Sequence, residues 1–167
     1  MYRYRYPVLF PFVGRKIYEW KPPEERPRAR EIGSIEVEVG GQYPSDIMHC
    51  GKLHLTAVVD VSSRVLEYSV EVSPPEEAPT RWHDRKVLTE EELRRILHYV
   101  SGAFAFRTEK ARKTAAESLY LILAQYAGIS DPELEYAGIR ITVKDRGGNV
   151  IREARFNYDI LARGVWF

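Results

Sequence analysis

The sequence predicts an α+β fold: an antiparallel sheet of two hairpins plus an N-terminal strand, with two helices packed on one face. Three observations lead to this prediction. Several short stretches alternate apolar and polar residues, which is typical of half-buried strands. Two longer stretches repeat apolar residues every three or four positions, as amphipathic helices do. The helical stretches are adjacent and lie between the hairpins, which gives the order β-hairpin–α–α–β-hairpin.

The first predicted strands lie between residues 34 and 72. Ser34–Gly40 carries an apolar residue at every second position, and Lys52–Val61 has the clearest alternation in the chain. Arg64–Val72 alternates in the same way after a short serine turn, so we expect it to pair antiparallel with Lys52–Val61. The next segment, Ser73–Lys86, is rich in proline and charge, and it is expected to be an irregular excursion.

Two helices are predicted from their capping residues as well as from their periodicity. Thr89 and Glu92 form the T-x-x-E capping box that opens the first helix. Thr108 is a suitable N-cap for the second helix, because its hydroxyl can accept from a free backbone N–H of the first turn. This helix is expected to continue to Ala127 and to stop at Gly128.

The second hairpin is predicted from residues 136–160. Tyr136–Lys144 and Val150–Ile160 alternate, and a turn with two glycines joins them; Arg152 interrupts the apolar face of the second strand. With both helices on one side of the sheet, the other side is expected to be polar. Its predicted members are Lys52, His54, Thr56, Asp60, Glu67, Ser69, Glu71, Arg140, Thr142 and Lys144.

The domain organisation is expected to be a basic arm followed by one folded domain. Residues 1–30 form the arm with its proline-rich linker, and residues 31–167 form a single α+β domain. The arm alternates Tyr with Arg, and its prolines favour an extended segment over a helix. Its last ten residues, KPPEERPRAR, are typical of a stiff, solvated linker with polyproline character.

Composition limits the class of protein. The apolar fraction of 44% and the charged fraction of 29% are ordinary for a globular domain. One cysteine, Cys50, allows no internal disulfide, and no apolar run reaches the length of a membrane span. We therefore expect a cytoplasmic protein without a membrane partner. Abundant Arg and Glu beside few Asn, Gln, Cys and Met suggest a thermophilic source.

Catalytic and cofactor motifs are not recognisable, so no cofactor and no catalytic residues are expected. The chain contains no phosphate-binding loop, dinucleotide fingerprint or nucleophile elbow. His49, Cys50 and His54 invite a zinc interpretation, but strand parity places the two histidines on opposite faces, and no metal site is predicted. Cys50 as a nucleophile would need a lowered pKa, which Lys52 or His54 could supply, but a cysteine beside a strand is more often inert.

The hairpin–helix pair–hairpin order over residues 52–160 resembles the tunnelling fold of pterin and purine enzymes, such as dihydroneopterin aldolases. The resemblance implies a barrel assembled from several subunits, with a heterocycle bound at a subunit interface. It also implies that Glu109, at the head of the second helix, grips the heterocycle, with Lys144 late in the third strand of the fold. In this alternative Glu109, His54 and Lys144 are the candidate catalytic residues.

The arm suggests two further functions. The favoured hypothesis is a structural or interaction protein that self-associates, as a homo-oligomer or larger assembly, through aromatic arms at both ends. Its interface anchors would be Tyr2, Tyr4, Tyr6, Phe10, Phe12, Trp166 and Phe167, because aromatic residues dominate interface energetics. The other hypothesis is a nucleic-acid-binding protein that uses Arg3, Arg5, Arg15 and Lys16, since interleaved aromatic and cationic side chains can stack on bases and neutralise phosphates.

Overall fold

Six strands form one antiparallel sheet in the order β4-β3-β2-β1-β5-β6, and two helices follow β4 in the chain. The structure, a computed structural model, describes residues 32–44 and 51–162. The strands are β1 (Ile32–Gln42), β2 (Lys52–Asp60), β3 (Val65–Ser73), β4 (Thr80–Val87), β5 (Leu134–Asp145) and β6 (Val150–Leu161). The helices are α1 (Glu90–Ala105) and α2 (Glu109–Tyr126). The predicted fold class is confirmed, and the order of elements matches the prediction apart from one additional strand, β4.

The core lies between one face of the sheet and the two helices. Alternate residues of β1, β2 and β5 point into it, and Ile35, Leu55 and Ile141 are fully buried there. From α2, Leu119 and Tyr120 are equally buried. We call this side of the sheet the covered face and the other side the open face.

The ends of both helices agree with the sequence. The Thr89 hydroxyl accepts from the Glu92 N–H at 3.1 Å, and the Glu92 carboxylate accepts from the Thr89 N–H at 2.9 Å. The Thr108 hydroxyl accepts from the N–H of Ala111 at 3.1 Å. Gly128 adopts a left-handed φ of 81°, which ends the second helix as its sequence predicts. In the part of the chain that the structure describes, no helix is long and apolar enough to cross a membrane.

The turns of the two hairpins are held by aspartates. Asp60 accepts from the Ser62 hydroxyl and the Ser63 N–H, and these hydrogen bonds lower the pKa of its carboxyl group. Asp145 accepts from the N–H groups of Gly147 and Asn149. The side chains thus replace the backbone partners that the turns lack, and each hairpin register is fixed.

One prediction was wrong: the segment Ser73–Lys86 is not irregular throughout, because β4 begins at Thr80. Of its side chains on the covered face, Trp82 alone is apolar, so β4 lacks the alternation that identifies a strand. Two contacts attach it to α2 and its C-terminal end. The Trp82 indole N–H donates to the Ala127 carbonyl at 2.8 Å, and the Lys86 ammonium lies 5.1 Å from the centre of the Tyr126 ring.

A bulge interrupts β6 where it pairs with β5. Val143 pairs with Arg152 and Lys144 with Val150, so Ile151 is an extra residue between them. This bulge leaves Arg152 on the covered face, where its guanidinium lies 5.1 Å from the centre of the Phe104 ring. The position that breaks the apolar pattern of β6 is therefore occupied by a cation that packs on an aromatic ring.

Candidate binding surfaces

The open face of the sheet is polar, as the sequence predicts. The register places there the even-numbered residues of β2, of β1 from Ser34 on and of β5 from Gly138 to Lys144, together with the odd-numbered residues of β3 and β4. All ten polar residues that were assigned to this face lie on it. Because no element covers this face within the described residues, its side chains meet water and one another.

A charged network runs across the centre of the open face. Glu38 of β1 lies between a histidine and an arginine: the His54 Nε2 is 2.8 Å from one of its carboxylate oxygens, and Arg140 binds the other. Hydrogen bonding by His54 and the charge of Arg140 hold the pKa of the Glu38 carboxyl group below its ordinary value. Glu38 is therefore ionised at neutral pH and unsuited to act as a general acid.

The network continues to the edge strand β6. Arg140 and Arg155 stand directly opposite each other in the register of β5 and β6. Both approach Glu153, at 3.9 Å from the Arg140 Nε and 3.5 Å from an Arg155 terminal nitrogen. Like charges that face each other across a strand pair are unfavourable, and the Glu153 carboxylate offsets the repulsion between these two guanidinium groups.

Two glycines leave a bare patch beside this network, and we call Gly40 and Gly138 the glycine floor. They pair with each other in the centre of the sheet, and the same row continues to His54 on one side and Asn157 on the other. Above the floor is a shallow hollow of about 330 Å³, whose rim includes Glu38, Arg140 and Arg155. The sequence offered a signal for this patch, since a glycine inside a strand often marks a close approach of a ligand or another backbone.

Tyr136 borders the floor on its other side. Gly40 pairs with Gly138, and Gln42 pairs with Glu135. One residue of β1 therefore lies opposite two residues of β5 between these pairs, which is a β-bulge. Tyr136 has a left-handed φ of 51° and is 74% exposed. Its side chain lines a second hollow, of about 380 Å³, together with Gly40, Gly41 and His54. A β-bulge that redirects an aromatic side chain is a feature found next to binding sites.

A third surface is an apolar cleft between α1 and the β5–β6 hairpin. Its volume is about 510 Å³, and Leu97, Val100, Phe104 and Ile151 are its main apolar walls. Ile32, the first residue of β1, lines its mouth, and three cationic or titratable side chains stand at its rim: Arg94, His98 and Arg152. We call this surface the apolar cleft. It is shaped to accept an apolar or aromatic side chain.

The three candidate catalytic residues do not share one site within a chain. Glu109, in the first turn of α2, lines a small hollow of about 320 Å³ with Lys113, Glu117 and Tyr158 on the helix side of the sheet. His54 and Lys144 lie on the open face, where the Lys144 ammonium is 2.8 Å from the Glu36 carboxylate. The sheet separates Glu109 from the other two.

Buried tyrosines carry structural hydrogen bonds. The Tyr120 hydroxyl donates to the Pro132 carbonyl at 2.8 Å, and the Tyr158 hydroxyl donates to the Lys113 carbonyl. Burial raises the pKa of Tyr43 to about 12 and raises the pKa values of Tyr120 and Tyr158 as well. All three therefore stay protonated at neutral pH, and the hydroxyls of Tyr120 and Tyr158 are permanent donors.

The other predicted site residues lie outside the described part of the chain. These are the aromatic anchors Tyr2, Tyr4, Tyr6, Phe10, Phe12, Trp166 and Phe167, the cations Arg3, Arg5, Arg15 and Lys16, and the pair His49 and Cys50. Among residues 32–44 and 51–162, no group of three His, Cys, Asp or Glu side chains could hold a metal ion.

No known protein family, characterised protein or solved structure matches the chain.

Proposed function

We propose that the protein is a non-catalytic interaction protein that self-associates through its aromatic terminal arms. The observation that supports this function best is the position of the apolar cleft. Ile32 lines the cleft and is the first residue of β1. The cleft, which can bury an aromatic ring, thus lies at the end of the domain that follows the linker and the aromatic arm in the sequence.

The linker favours docking on a second copy over docking on the same chain. Residues 21–30 contain three prolines, and an extended polyproline segment of ten residues spans about 30 Å. A domain of this size has a diameter of roughly 35 Å. A stiff linker would therefore carry Phe10 and Phe12 away from the cleft beside their own Ile32 and towards that of a neighbour.

Apolar burial and aromatic contacts would supply most of the affinity. The rim residues Arg94 and Arg152 are cations, and so is the arm, so the two do not attract each other by net charge. A guanidinium can still stack on an incoming ring, as Arg152 does on Phe104. Self-association should therefore depend weakly on salt, whereas binding of a nucleic acid should weaken steeply as salt rises.

Deleting residues 1–20 tests the proposal. We expect native mass spectrometry to report a smaller assembly for the deleted chain, with unchanged helical circular dichroism. A second variant, Ser101→Trp, fills the cleft from an exposed position that lines it. Its matched control is Glu91→Trp, on an exposed turn of the same helix. An unchanged number of subunits after the deletion and in Ser101→Trp would refute self-association through the arm.

A second candidate, a tunnelling-fold enzyme, is favoured by one observation. The hollow at Glu109 includes Tyr158 of β6, and β6 is an edge strand that could pair with another subunit. A pterin or purine would then bind between subunits, and Glu109→Gln would abolish that binding while Glu90→Gln, in the first turn of α1, would not. Absence of any thermal shift of the wild-type protein with a panel of pterins and purines would remove this candidate.

The nucleic-acid alternative depends on Arg3, Arg5, Arg15 and Lys16. The open face gives it little support, because acidic side chains such as Glu36, Glu38 and Glu71 accompany the basic ones. Its test is the salt dependence of binding to single-stranded oligonucleotides, since each phosphate contact that is neutralised adds to the slope.

A further inference from the structure

We propose that the glycine floor is a binding site for a small planar anion, namely an aromatic ring that carries a carboxylate or phosphate group. The site is separate from the apolar cleft, with which it shares no lining residue. Its parts are the floor itself, formed by Gly40 and Gly138, the aromatic side chain of Tyr136, and the guanidinium groups of Arg140 and Arg155.

The glycines of the floor are not required by the fold. A Cβ atom on Gly40 would lie 3.6 Å from the nearest atom of His54, and one on Gly138 would lie 3.5 Å from the Asn157 side chain, both ordinary contacts. Neither residue has a positive φ. Glycine weakens the interior of a strand, so two glycines paired where any small residue would fit indicate that the surface above them is kept clear.

The neighbouring Gly41 shows what a structural requirement looks like. Its Cβ would lie 2.8 Å from the Ala137 Cβ on the covered face, a contact that the packing cannot accept. Gly41 is thus explained by close packing, and Gly40, one position earlier on the opposite face, is not.

The dimensions of the floor fit one flat ring system. His54 and Asn157 stand at the two ends of the four-residue row, three strand spacings apart, which is about 14 Å. The two side chains occupy part of that width, and the two positions between them carry no side chain. An aromatic ring could lie on the floor, with the exposed ring of Tyr136 along one side.

Arg155 is the group beside the floor that can bind an anion. Arg140 is held by Glu38 and Glu153, while Arg155 is 69% exposed and contacts Glu153 at a distance of 3.5 Å. Arg155 therefore keeps part of its donor fork free for a carboxylate or phosphate oxygen. Asn157, at the end of the row, could donate a further hydrogen bond through its amide.

The test uses indole-3-carboxylate as the probe and the full chain as the receptor. We expect a dissociation constant on the order of 1 mM, which is reasonable for a small ligand in a shallow site. The amide signals of Gly40 and Gly138 and the side-chain amide of Asn157 should shift in a nitrogen–proton correlation spectrum. Indole, which lacks the anion, and cyclohexanecarboxylate, which lacks the flat ring, should bind at least about tenfold more weakly.

Two variants locate the site. Gly138→Val covers the floor and should lower the affinity at least about tenfold, with a melting temperature equal to or above that of the wild type. Should the valine prevent folding, Gly138→Ala replaces it. Arg155→Gln should reduce the affinity for indole-3-carboxylate to that for indole, whereas the matched control Arg85→Gln, on the far edge of the same face, should leave it unchanged.

The proposal is overturned if indole-3-carboxylate causes no shift at about 10 mM, a concentration that would nearly saturate a site of this affinity. It is also overturned if a folded Gly138 variant binds as the wild type does, or if Arg85→Gln weakens binding as much as Arg155→Gln. In that last case the probe would be attracted by the general charge of the surface.

Discussion

The covered and the open face belong to the same six strands, but different interactions maintain them. On the covered face, aliphatic side chains such as Ile35 and Leu55 are withdrawn from water by the two helices. On the open face, Glu38, His54 and Arg140 remain in water and bind one another. Apolar burial supplies most of the stability of a domain, and exposed ion pairs supply little. The fold therefore depends mainly on the covered face, and the open face is available for binding.

The same contrast appears between adjacent glycines. Gly41 faces the closely packed side, where a Cβ would overlap Ala137, and Gly40 faces the open side, where a Cβ meets only ordinary contacts. Glycine is thus required by packing at position 41 on the covered face and is not required by packing at position 40 on the open face. Substitutions at matched positions can test each part of this comparison.

The largest expected effect is loss of packing on the covered face. Leu119 is fully buried in α2, so Leu119→Ala should lower the free energy of unfolding by about 2–5 kcal/mol, from lost transfer energy and from the cavity left behind. Thr142→Ala, on the open face of β5, should change it by less than about 0.5 kcal/mol. Chemical denaturation measures both. Equal effects would show that the helices do not dominate the stability of the sheet.

The glycine pair should give the next largest difference. Gly41→Ala should destabilise the domain by about 1–3 kcal/mol, because overpacking displaces Ala137 or the strand that carries it. Gly40→Ala should be neutral, or stabilising by up to about 1 kcal/mol, since glycine is unfavourable inside a strand. Denaturant midpoints of the two variants provide the comparison. A loss of stability in Gly40→Ala equal to that in Gly41→Ala would contradict the distinction.

Loss of a single buried hydrogen bond should have a smaller effect. Tyr120→Phe leaves the Pro132 carbonyl without its partner and should cost about 1–2 kcal/mol. The exposed Tyr136 on the open face is the control, and Tyr136→Phe should change stability by less than about 0.5 kcal/mol. Thermal unfolding of both variants tests this. A Tyr120→Phe protein as stable as the wild type would mean that water replaces the lost donor.

The sequence predicted the covered face well, because buried apolar residues recur at regular intervals along each strand and helix. Periods of two and of three to four residues identified five strands and both helices, and the capping threonines located the helix starts. The pattern misses β4 because this edge strand has only one apolar side chain, Trp82, on its covered face. Trp82 and Lys86 hold it through contacts with residues far along the chain, which leave no periodic signal.

The candidate sites were less predictable. The sequence pattern places Gly40 at the end of a strand, and its pairing with Gly138 brings together residues that are almost a hundred positions apart. That pairing follows from the strand order, in which β1 lies between β2 and β5, and the local pattern does not specify this order. The partners of Glu38 come from both of these neighbouring strands. The charged network therefore could not be predicted without the strand order.

The smallest predicted effect concerns Glu38 and its dependence on pH. Its pKa lies below the ordinary value of 4.5 in the folded protein, so the carboxylate stabilises the fold above about pH 4.5 and loses that effect as the pH falls through the lowered pKa. Glu38→Gln should therefore lower the free energy of unfolding by at most about 1 kcal/mol at pH 7, because the group is partly exposed. The deficit should disappear in acid and shrink in high salt.

Glu76→Gln, in the exposed turn before β4, is the control for this measurement and should behave as the wild type does at each pH. Urea denaturation between pH 3 and pH 7 compares the three proteins. A deficit of Glu38→Gln that persists undiminished below the lowered pKa would show that the side chain acts through packing. Glu38 would then stabilise the open face by packing, as the apolar side chains stabilise the covered face, and its charge would contribute little to the free energy of unfolding.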